Sequence, residues 1–183
     1  MPALRPLLTS SFLLLMGLGV ANAALAYRVA PAYLQLAVNQ ASGKPVLDLP
    51  PHNQRPVLYA ELALSNEVFV TPTLATPRIN ESIFPEWVIN TAEERLPLEP
   101  GHTVEASVRI FDQDEADEDD KVLLAVLRFD PFLCAATLGE QTITGVWIES
   151  GSTCIVSVPD VQSEMGTATF TLSAQWLGVS PGG

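Results

Sequence analysis

The stretch TATFTLSAQW, residues 167–176, alternates strictly between polar and apolar side chains. Successive side chains of a β-strand point to opposite faces, so this period places all the apolar residues on one side of an extended chain. Those residues are Ala168, Phe170, Leu172, Ala174 and Trp176. The stretch therefore predicts a half-buried strand whose apolar side faces a core.

The stretch HTVEASVRI, residues 102–110, has the same period, and it predicts a second strand with its valine, alanine and isoleucine side chains inward. Shorter runs, mostly separated by Pro, Gly, Asn or Asp, predict strands at 33–39, 57–64, 67–74, 86–90, 121–128, 143–149 and 153–158. About eight or nine short strands are typical of an antiparallel sandwich or barrel, so the predicted fold class is all-β. A short helical turn is expected around residues 131–138.

Residues 1–23 have the composition of a secretion signal. Arg5 gives a positive start, residues 12–20 form a short apolar run, and ANA at 21–23 and ALA at 24–26 are small-residue cleavage sites. Cleavage after residue 23, or as late as 26, leaves one domain at 27–178 and a flexible tail at 179–183. Because the apolar run is shorter than the roughly 20 residues of a membrane span, we expect a periplasmic or secreted protein with no transmembrane segment in its mature chain. An uncleaved anchor is the alternative.

The net charge limits the class of partner, and the two cysteines indicate a disulfide. The chain has 9 Lys and Arg against 21 Asp and Glu, a net charge of −12, which argues against nucleic acid and anionic lipid as unaided partners. Its two cysteines, Cys134 and Cys154, are an even number in an exported chain. The compartments outside the cytoplasm are oxidising, so a disulfide between them is expected.

The stretch RIFDQDEADEDDKVLL, residues 109–124, concentrates the acidic charge between two predicted strands. Seven carboxylates occupy the nine positions from Asp112 to Asp120. Calcium takes six to eight oxygen ligands, which such a loop supplies. Two exposed carboxylates about 5 Å apart in water repel by only ~0.8 kcal/mol, so composition alone slightly favours a solvated patch. An EF-hand is excluded, because Ala116 and Asp117 occupy the fifth and sixth loop positions and the flanks are strands.

The arrangement strand, Asp-x-Asp-x5-Asp, strand resembles the third calcium loop of a C2 domain, the calcium- and phospholipid-binding β-sandwich. LQLAVNQASGKPVLDL at 34–49 is similar to the family's first strand and the approach to its first calcium loop. QRPVLYAEL at 54–62 is similar to a later strand start, and FPEWVIN at 84–90 to the family's Asn-Pro-x-Trp turn. The resemblance covers residues 34–127 and implies an antiparallel Greek-key sandwich of about eight strands.

The resemblance also implies a ligand set for one calcium ion. The family's ligand positions fall here on Asp48, Asp112, Asp114 and Asp120, and the acidic residues Asp117, Glu118 and Asp119 are available to supplement them. Arg55 stands where the family has its second aspartate of the first loop, and Phe84 stands where it has an asparagine before Pro85. These departures limit the expectation to a single ion.

The resemblance implies a binding or adaptor module whose partner is a phospholipid, a cell-surface glycan or a protein. Leu49 and Pro50 beside Asp48 either form an apolar binding tip or only shape a turn. The competing hypothesis is a metal-free structural or protein-interaction sandwich whose acidic loop provides solubility.

No enzyme is predicted, because no nucleophile or metalloprotease motif is present and His52 and His102 follow proline-containing turns. The tryptophans at positions 87, 147 and 176 are expected mainly in the core, with a carbohydrate-stacking platform as the alternative.

Overall fold

The computed structural model describes residues 31–44, 56–77, 81–92, 98–113, 118–148 and 152–176. Within these residues the chain forms twelve strands and no helix. The strands are β1 (Tyr33–Gly43), β2 (Val57–Leu64), β3 (Glu67–Val70), β4 (Leu74–Ala75), β5 (Trp87–Ala92), β6 (Val104–Asp112), β7 (Asp120–Asp130), β8 (Ala135–Leu138), β9 (Gln141–Thr144), β10 (Val146–Ile148), β11 (Thr153–Gln162) and β12 (Gly166–Gln175). Several are only two to four residues long, which is why the number exceeds the predicted eight or nine.

The strands form two antiparallel sheets that pack face to face. The first sheet has the order β10-β11-β12-β1-β5, and the second has the order β3-β2-β6-β7-β8-β9, with β4 also paired to β2. The chain crosses between the sheets after β1, β4, β5 and β9. The prediction of an antiparallel β-sandwich is confirmed, and the barrel alternative is wrong because the two sheets stay separate.

The core lies between the sheets and is built from the inward positions of alternating strands. In β6 and β12 the predicted inward residues are buried, which confirms both patterns. The largest buried side chains include Trp87, Phe129, Phe170, Leu62 and Leu172. Full burial of each aliphatic or aromatic side chain of this size stabilises the fold by ~1.5–3 kcal/mol.

The expected helical turn at 131–138 is wrong. Asp130 Oδ1 accepts hydrogen bonds from the backbone N–H groups of Phe132 and Leu133, both at 2.9 Å. Cys134 then adopts a φ of 51°, which is incompatible with continuing a right-handed helix. The chain leaves this turn as β8, which pairs with both β7 and β9.

The predicted strand at 143–149 is divided by Gly145, where the chain passes from the second sheet to the first. A Cβ atom at this position would collide with the carbonyl oxygen of Ile155 and with the side chain of Val156. Only glycine allows the backbone to approach β11 so closely. The predicted strand at 67–74 is likewise interrupted, between Val70 and Leu74.

The predicted disulfide between Cys134 and Cys154 is confirmed. Cys134 lies in the turn before β8 of the second sheet, and Cys154 lies in β11 of the first sheet. The bond therefore joins the two sheets covalently. Next to it, Trp176 packs against Phe132 and Trp147, with ring centroids 6.0 Å and 5.1 Å apart. We call this region, Phe132, Cys134, Trp147, Cys154 and Trp176, the disulfide end.

Candidate functional site

The acidic stretch lies at the opposite end of the sandwich, which we call the acidic end. Here β6 ends at Asp112, β7 begins at Asp120, and β2 begins at Val57. The turn between β11 and β12 closes over the same end, because Ser163 Oγ donates a hydrogen bond of 2.5 Å to the carbonyl oxygen of Val122. Several chain connections therefore meet where the carboxylates are concentrated.

The described residues on either side of segment 45–55, which contains Asp48, lie beside this site. A Cβ atom at Gly43, the last residue of β1, would lie 3.3 Å from Leu58 Cδ2 and 3.4 Å from Pro56 Cβ. The described residues that flank segment 45–55 are thus in contact with each other at the acidic end. Asp48 itself lies outside the described residues.

A β-bulge in β7 determines where Asp120 points. The register of β6 and β7 shifts between Ile110 and Phe111, which leaves Val122 as an extra residue of β7. A bulge changes which face of the sheet the side chains beyond it occupy, here those on its N-terminal side. Asp120 consequently lies on the inward face as the cross-strand partner of Asp112, instead of on the outward face.

Asp112 is the most buried carboxylate that the structure describes, with 2% of its surface exposed. It continues the inward alternation of β6 beyond Ile110. Its Oδ1 atom accepts a hydrogen bond of 2.7 Å from the backbone N–H of Val57. A buried charged group is costly unless it is hydrogen-bonded or paired, so this contact both offsets part of the desolvation cost and fixes the orientation of the carboxylate.

The pair formed by Asp112 and Asp120 is electrostatically unfavourable by itself. Directly opposed residues on antiparallel strands have Cβ atoms about 4.5–5.5 Å apart, and like charges there are destabilising. Carboxylates carried on Cβ atoms at this separation can both reach one hard cation, because calcium binds carboxylate oxygens at about 2.3–2.6 Å. Within the described residues, no group of three or more acidic, His or Cys side chains is arranged to hold a metal.

Asp119, just before β7, is held by an aromatic side chain from β2 on the other side of β6. The Tyr59 hydroxyl donates a hydrogen bond of 2.7 Å to Asp119 Oδ2. The Tyr59 ring stacks on Phe111 with centroids 5.2 Å apart and an interplanar angle of 17°. Burial, the hydrogen bond to Asp119 and the negative charges of Asp119 and Glu61 raise the pKa of Tyr59 to about 12. Tyr59 therefore anchors one carboxylate of the acidic stretch on the outer face of the sheet.

The remaining predicted site residues are distributed as follows. Glu118 is exposed at the acidic end. The other predicted ligands and contact residues, together with Arg55, fall outside the described part of the chain; they are Asp48, Asp114, Asp117, Leu49 and Pro50. The ligand set from the resemblance therefore stays a prediction, of which Asp112 and Asp120 are found opposite each other.

Sequence reasoning did not identify Val57 and Tyr59 as neighbours of the acidic stretch. The sequence contains only a weak signal for these contacts. Tyr59 is an aromatic residue at an outward position of a strand, and an outward position ordinarily indicates exposure. The contact arises only because β2 pairs with β6 in a register that places Tyr59 opposite Phe111.

The two histidines and the three tryptophans are distributed as follows. His102 is exposed and its backbone N–H donates to the carbonyl oxygen of Glu99, whereas His52 lies outside the described residues. Trp87 and Trp176 are buried in the core, as predicted, and Trp147 is half-buried. In the part of the chain that is described, no helix has the length and apolar character needed to cross a membrane.

Comparison with known proteins identifies the fold. No protein-family profile and no curated protein sequence matches the chain. Among solved structures, the first C2 domain of plant extended synaptotagmin 1 matches with a TM-score of 0.50 and 12% identity, covering 82% of this chain and 100% of that one. The calcium-bound tandem C2 domains of extended synaptotagmin 2 match with a TM-score of 0.48 and 17% identity, covering 80% of this chain and 46% of that one.

Human GIVD cytosolic phospholipase A2 also matches, with a TM-score of 0.48 and 13% identity. The match covers 83% of this chain and only 18% of the phospholipase chain. Identities this low establish the architecture and not the activity. The protein has a C2-like β-sandwich fold, which confirms the resemblance found in its sequence.

Proposed function

We propose that the protein is an exported calcium-binding module that binds one Ca²⁺ ion at the acidic end and uses it to engage a partner. The observation that carries the proposal is the cross-strand pair of Asp112 and Asp120 on the inward face. One member of this pair is almost fully buried, and it lies directly opposite a second acidic residue on the neighbouring strand, where like charges are destabilising. A cation between them removes the repulsion.

The donor set fits calcium in its chemistry. Calcium prefers carboxylate, carbonyl and water oxygens and takes six to eight of them. Asp112 and Asp120 would supply the first carboxylates, and Asp48 and Asp114 would complete the acidic set that the resemblance implies. Asp117 and Glu118 are further donors in the same stretch. The bound ion would supply positive charge, which neutralises the stretch.

A weak site is expected, with a dissociation constant of about 10⁻⁴ to 10⁻³ M as in extracellular calcium modules. Arg55 replaces one acidic position of the family, which lowers the negative charge available for further ions. Such affinity suits a periplasmic or secreted protein, the location to which residues 1–23 point. The proposed role is binding and not catalysis.

The partner that we propose is a phospholipid surface, with Leu49 and Pro50 as its apolar contact. A cell-surface glycan or a protein is the alternative for the same site. In each case this chain would contribute an acidic end that becomes ordered and less negative when calcium is present. Nucleic acid is not proposed, because the net charge of −12 repels it.

Thermal unfolding with calcium tests the proposal. An ion present at 100 times its dissociation constant adds about 2.7 kcal/mol to the free energy of unfolding, and a chelator should reverse the gain. Magnesium at equal concentration controls for ionic strength, because Mg²⁺ demands a smaller octahedral site. A melting temperature that is unchanged by millimolar calcium would refute the calcium site.

A metal-free interaction module is the second candidate, and two contacts favour it. The Val57 amide already satisfies Asp112 Oδ1, and the Tyr59 hydroxyl already satisfies Asp119 Oδ2. These carboxylates thus have protein donors without an ion. In this alternative the acidic stretch keeps the protein soluble, and stability rises with salt of any kind because screening weakens the repulsion.

A further inference from the structure

The edge strand β3 is unusually apolar for an exposed strand. It is the last strand of the second sheet, and no described strand pairs with its outer edge. Three consecutive residues, Val68, Phe69 and Val70, have 69%, 42% and 57% of their surfaces exposed. Exposed edges are normally protected by lysine, by inward charges or by a covering element, because they present unpaired backbone groups. Among the described residues, the features that limit this edge are the shortness of the strand and Pro72 beyond it.

The backbone groups that face this edge can be identified. The Thr71 N–H donates to the Ala60 carbonyl of β2 at 2.9 Å. The N–H and C=O groups of successive residues point alternately to the two sides of an antiparallel strand, so those of Phe69 and Glu67 also bond to β2. Val68 and Val70 therefore turn their N–H and C=O groups away from β2, toward the open edge.

The other outer strand of the same sheet differs in composition. β9 has the sequence QTIT, in which Ile143 is the only apolar residue, and it is half-buried. At the edge of the first sheet, the three-residue strand β10 is also apolar, with Val146 60% and Ile148 39% exposed. Within the second sheet, the apolar edge is β3. Its side chains are apolar on both faces, because Val68 and Val70 project outward while Phe69 projects inward with Leu62.

We propose that β3 pairs antiparallel with β3 of a second copy of this chain, about a two-fold axis at Phe69. This register sets Val68 opposite Val70 of the other copy, and each such pair exchanges both of its N–H···O bonds. Phe69 meets its own counterpart in the non-hydrogen-bonded position between them. Moving the two-fold axis to Val70 would pair Val68 with Pro72, which has no N–H group to donate. Moving the axis to Val68 would bring Glu67 opposite Phe69.

Charge permits a second copy at this strand, whereas the acidic surfaces of the chain repel one. A protein with a net charge of −12 repels itself wherever acidic residues face each other. Glu67 is the only charged residue of β3. In the proposed register the two Glu67 residues are about 14 Å apart along the strands, from a rise of ~3.4 Å per residue. That separation exceeds the Debye length of about 8 Å at physiological ionic strength, so their repulsion is largely screened.

Cysteine cross-linking tests the register directly. In the full chain with its native disulfide intact, Phe69→Cys should form an intermolecular disulfide, because each new cysteine faces its own counterpart at close range. Val68→Cys is the matched control. Its cysteine is more exposed, but its counterpart in the second copy is two residues away along the strands. We expect several-fold faster cross-linking for Phe69→Cys, measured on non-reducing gels.

Sedimentation velocity over a range of protein concentrations provides the independent measurement. The unmodified protein should show a concentration-dependent dimer, and Val68→Pro should raise its dissociation constant at least tenfold, equivalent to about 1.4 kcal/mol. This substitution removes an edge-facing donor in each copy and leaves the bonds between β2 and β3 in place. Circular dichroism of Val68→Pro checks that the monomer remains folded.

Two outcomes would overturn the proposal. One is faster cross-linking of Val68→Cys, which would indicate random collision or another register. The other is a protein that stays monomeric at the highest concentration reached. Binding of an extended segment of a different protein to β3, without a dimer of this chain, would count as the same outcome. The calcium site is independent of this result, since the sedimentation experiments are run in chelator.

Discussion

The two ends of the sandwich are stabilised in opposite ways. At the disulfide end, Phe132, Trp147 and Trp176 pack together beside a covalent bond between the sheets. At the acidic end, Asp112 and Asp120 are like charges directly opposite each other, and hydrogen bonds from the Val57 amide and the Tyr59 hydroxyl hold Asp112 and Asp119. One end therefore contributes stability, and the other carries charge at a cost in stability.

This difference agrees with the proposal that the acidic end binds a partner. Binding regions are often less stable than the rest of a fold, because groups arranged for a ligand are not arranged for packing. A sandwich that is covalently fixed at one end can tolerate unfavourable charge at the other. The contrast predicts that substitutions at the disulfide end change stability alone, whereas those at the acidic end change the response to calcium.

The largest effect is expected for Trp176→Ala at the disulfide end. This residue is 9% exposed and contacts two other aromatic rings, so its truncation leaves a cavity and should cost ~3–5 kcal/mol. Urea unfolding followed by circular dichroism measures the loss. The nearby Val146→Ala is the control, because Val146 is 60% exposed and should change stability by less than about 0.5 kcal/mol. Equal losses in both variants would contradict the assigned packing.

The next effect is that of the disulfide. Replacing both Cys134 and Cys154 by alanine reopens a loop with a sequence separation of 20. On the chain-entropy model a loop of this length is worth about 3 kcal/mol. Thermal melts of the double variant and of the reduced native protein should agree. The stabilisation by calcium should persist in the double variant, and its disappearance would contradict the separation of roles between the two ends.

At the acidic end, Asp112→Asn should remove the calcium response. Asparagine keeps an oxygen that accepts from the Val57 amide, but it loses the charge. The gain of about 2.7 kcal/mol at saturating calcium should disappear, while stability in chelator is unchanged or higher because the repulsion from Asp120 is gone.

Glu105→Gln on the same strand is the matched control for that experiment. It makes the same change of charge at an exposed position seven residues from Asp112, about 24 Å away at ~3.4 Å per residue. Its calcium-dependent shift in melting temperature should equal that of the unmodified protein. A similar loss of response in both variants would indicate a general effect of net charge.

The smallest effect is expected for Tyr59→Phe. The variant loses the hydrogen bond to Asp119, which should cost about 0.5–1.5 kcal/mol at neutral pH. The pKa of Tyr59 in the folded protein, about 12, lies above its ordinary value of 10.0. Its contribution to stability is therefore complete below about pH 10 and is lost as the pH rises toward 12.

Ultraviolet absorbance of tyrosinate gives the measurement. Subtracting the titration of Tyr59→Phe from that of the unmodified protein isolates Tyr59, because the other tyrosines, Tyr27 and Tyr33, are common to both. The difference should have its midpoint well above pH 10. A midpoint at the ordinary value would show that the contact with Asp119 is not maintained in solution.

Much of the fold followed from the sequence because it depends on local alternation. The predicted strand at 57–64 coincides with β2, and the buried face of β12 has the predicted period. The turn before β8 could not be predicted in this way. It depends on the Asp130 side chain accepting two backbone hydrogen bonds and on a positive φ at Cys134, which leave no trace in hydrophobic periodicity.

The candidate site was less accessible to sequence reasoning. The run KVLLAVLR at 121–128 is apolar at many successive positions, so it does not reveal that Val122 is an extra residue. Without that bulge, strict alternation would place Asp120 outward, away from Asp112. The spacing of the C2 resemblance names Asp112 and Asp120 together without reference to this bulge, and the structure places them opposite each other; their role as calcium ligands stays a prediction. The contact between Tyr59 and Asp119 required the register of β2 and β6, which composition does not contain.

The antiparallel pairing of β1 with β12 has a consequence for any experiment in which the protein is attached to a surface. Tyr33 lies opposite Gln175, and the Ala32 N–H donates to the Gln175 carbonyl oxygen at 2.6 Å. The described chain thus both enters and leaves the sandwich at the disulfide end. An anchor fused beyond either of them would hold the module with Asp112 and Asp120 directed outward into the medium. Immobilisation through a terminal tag should accordingly leave the calcium response intact, whereas random coupling should not.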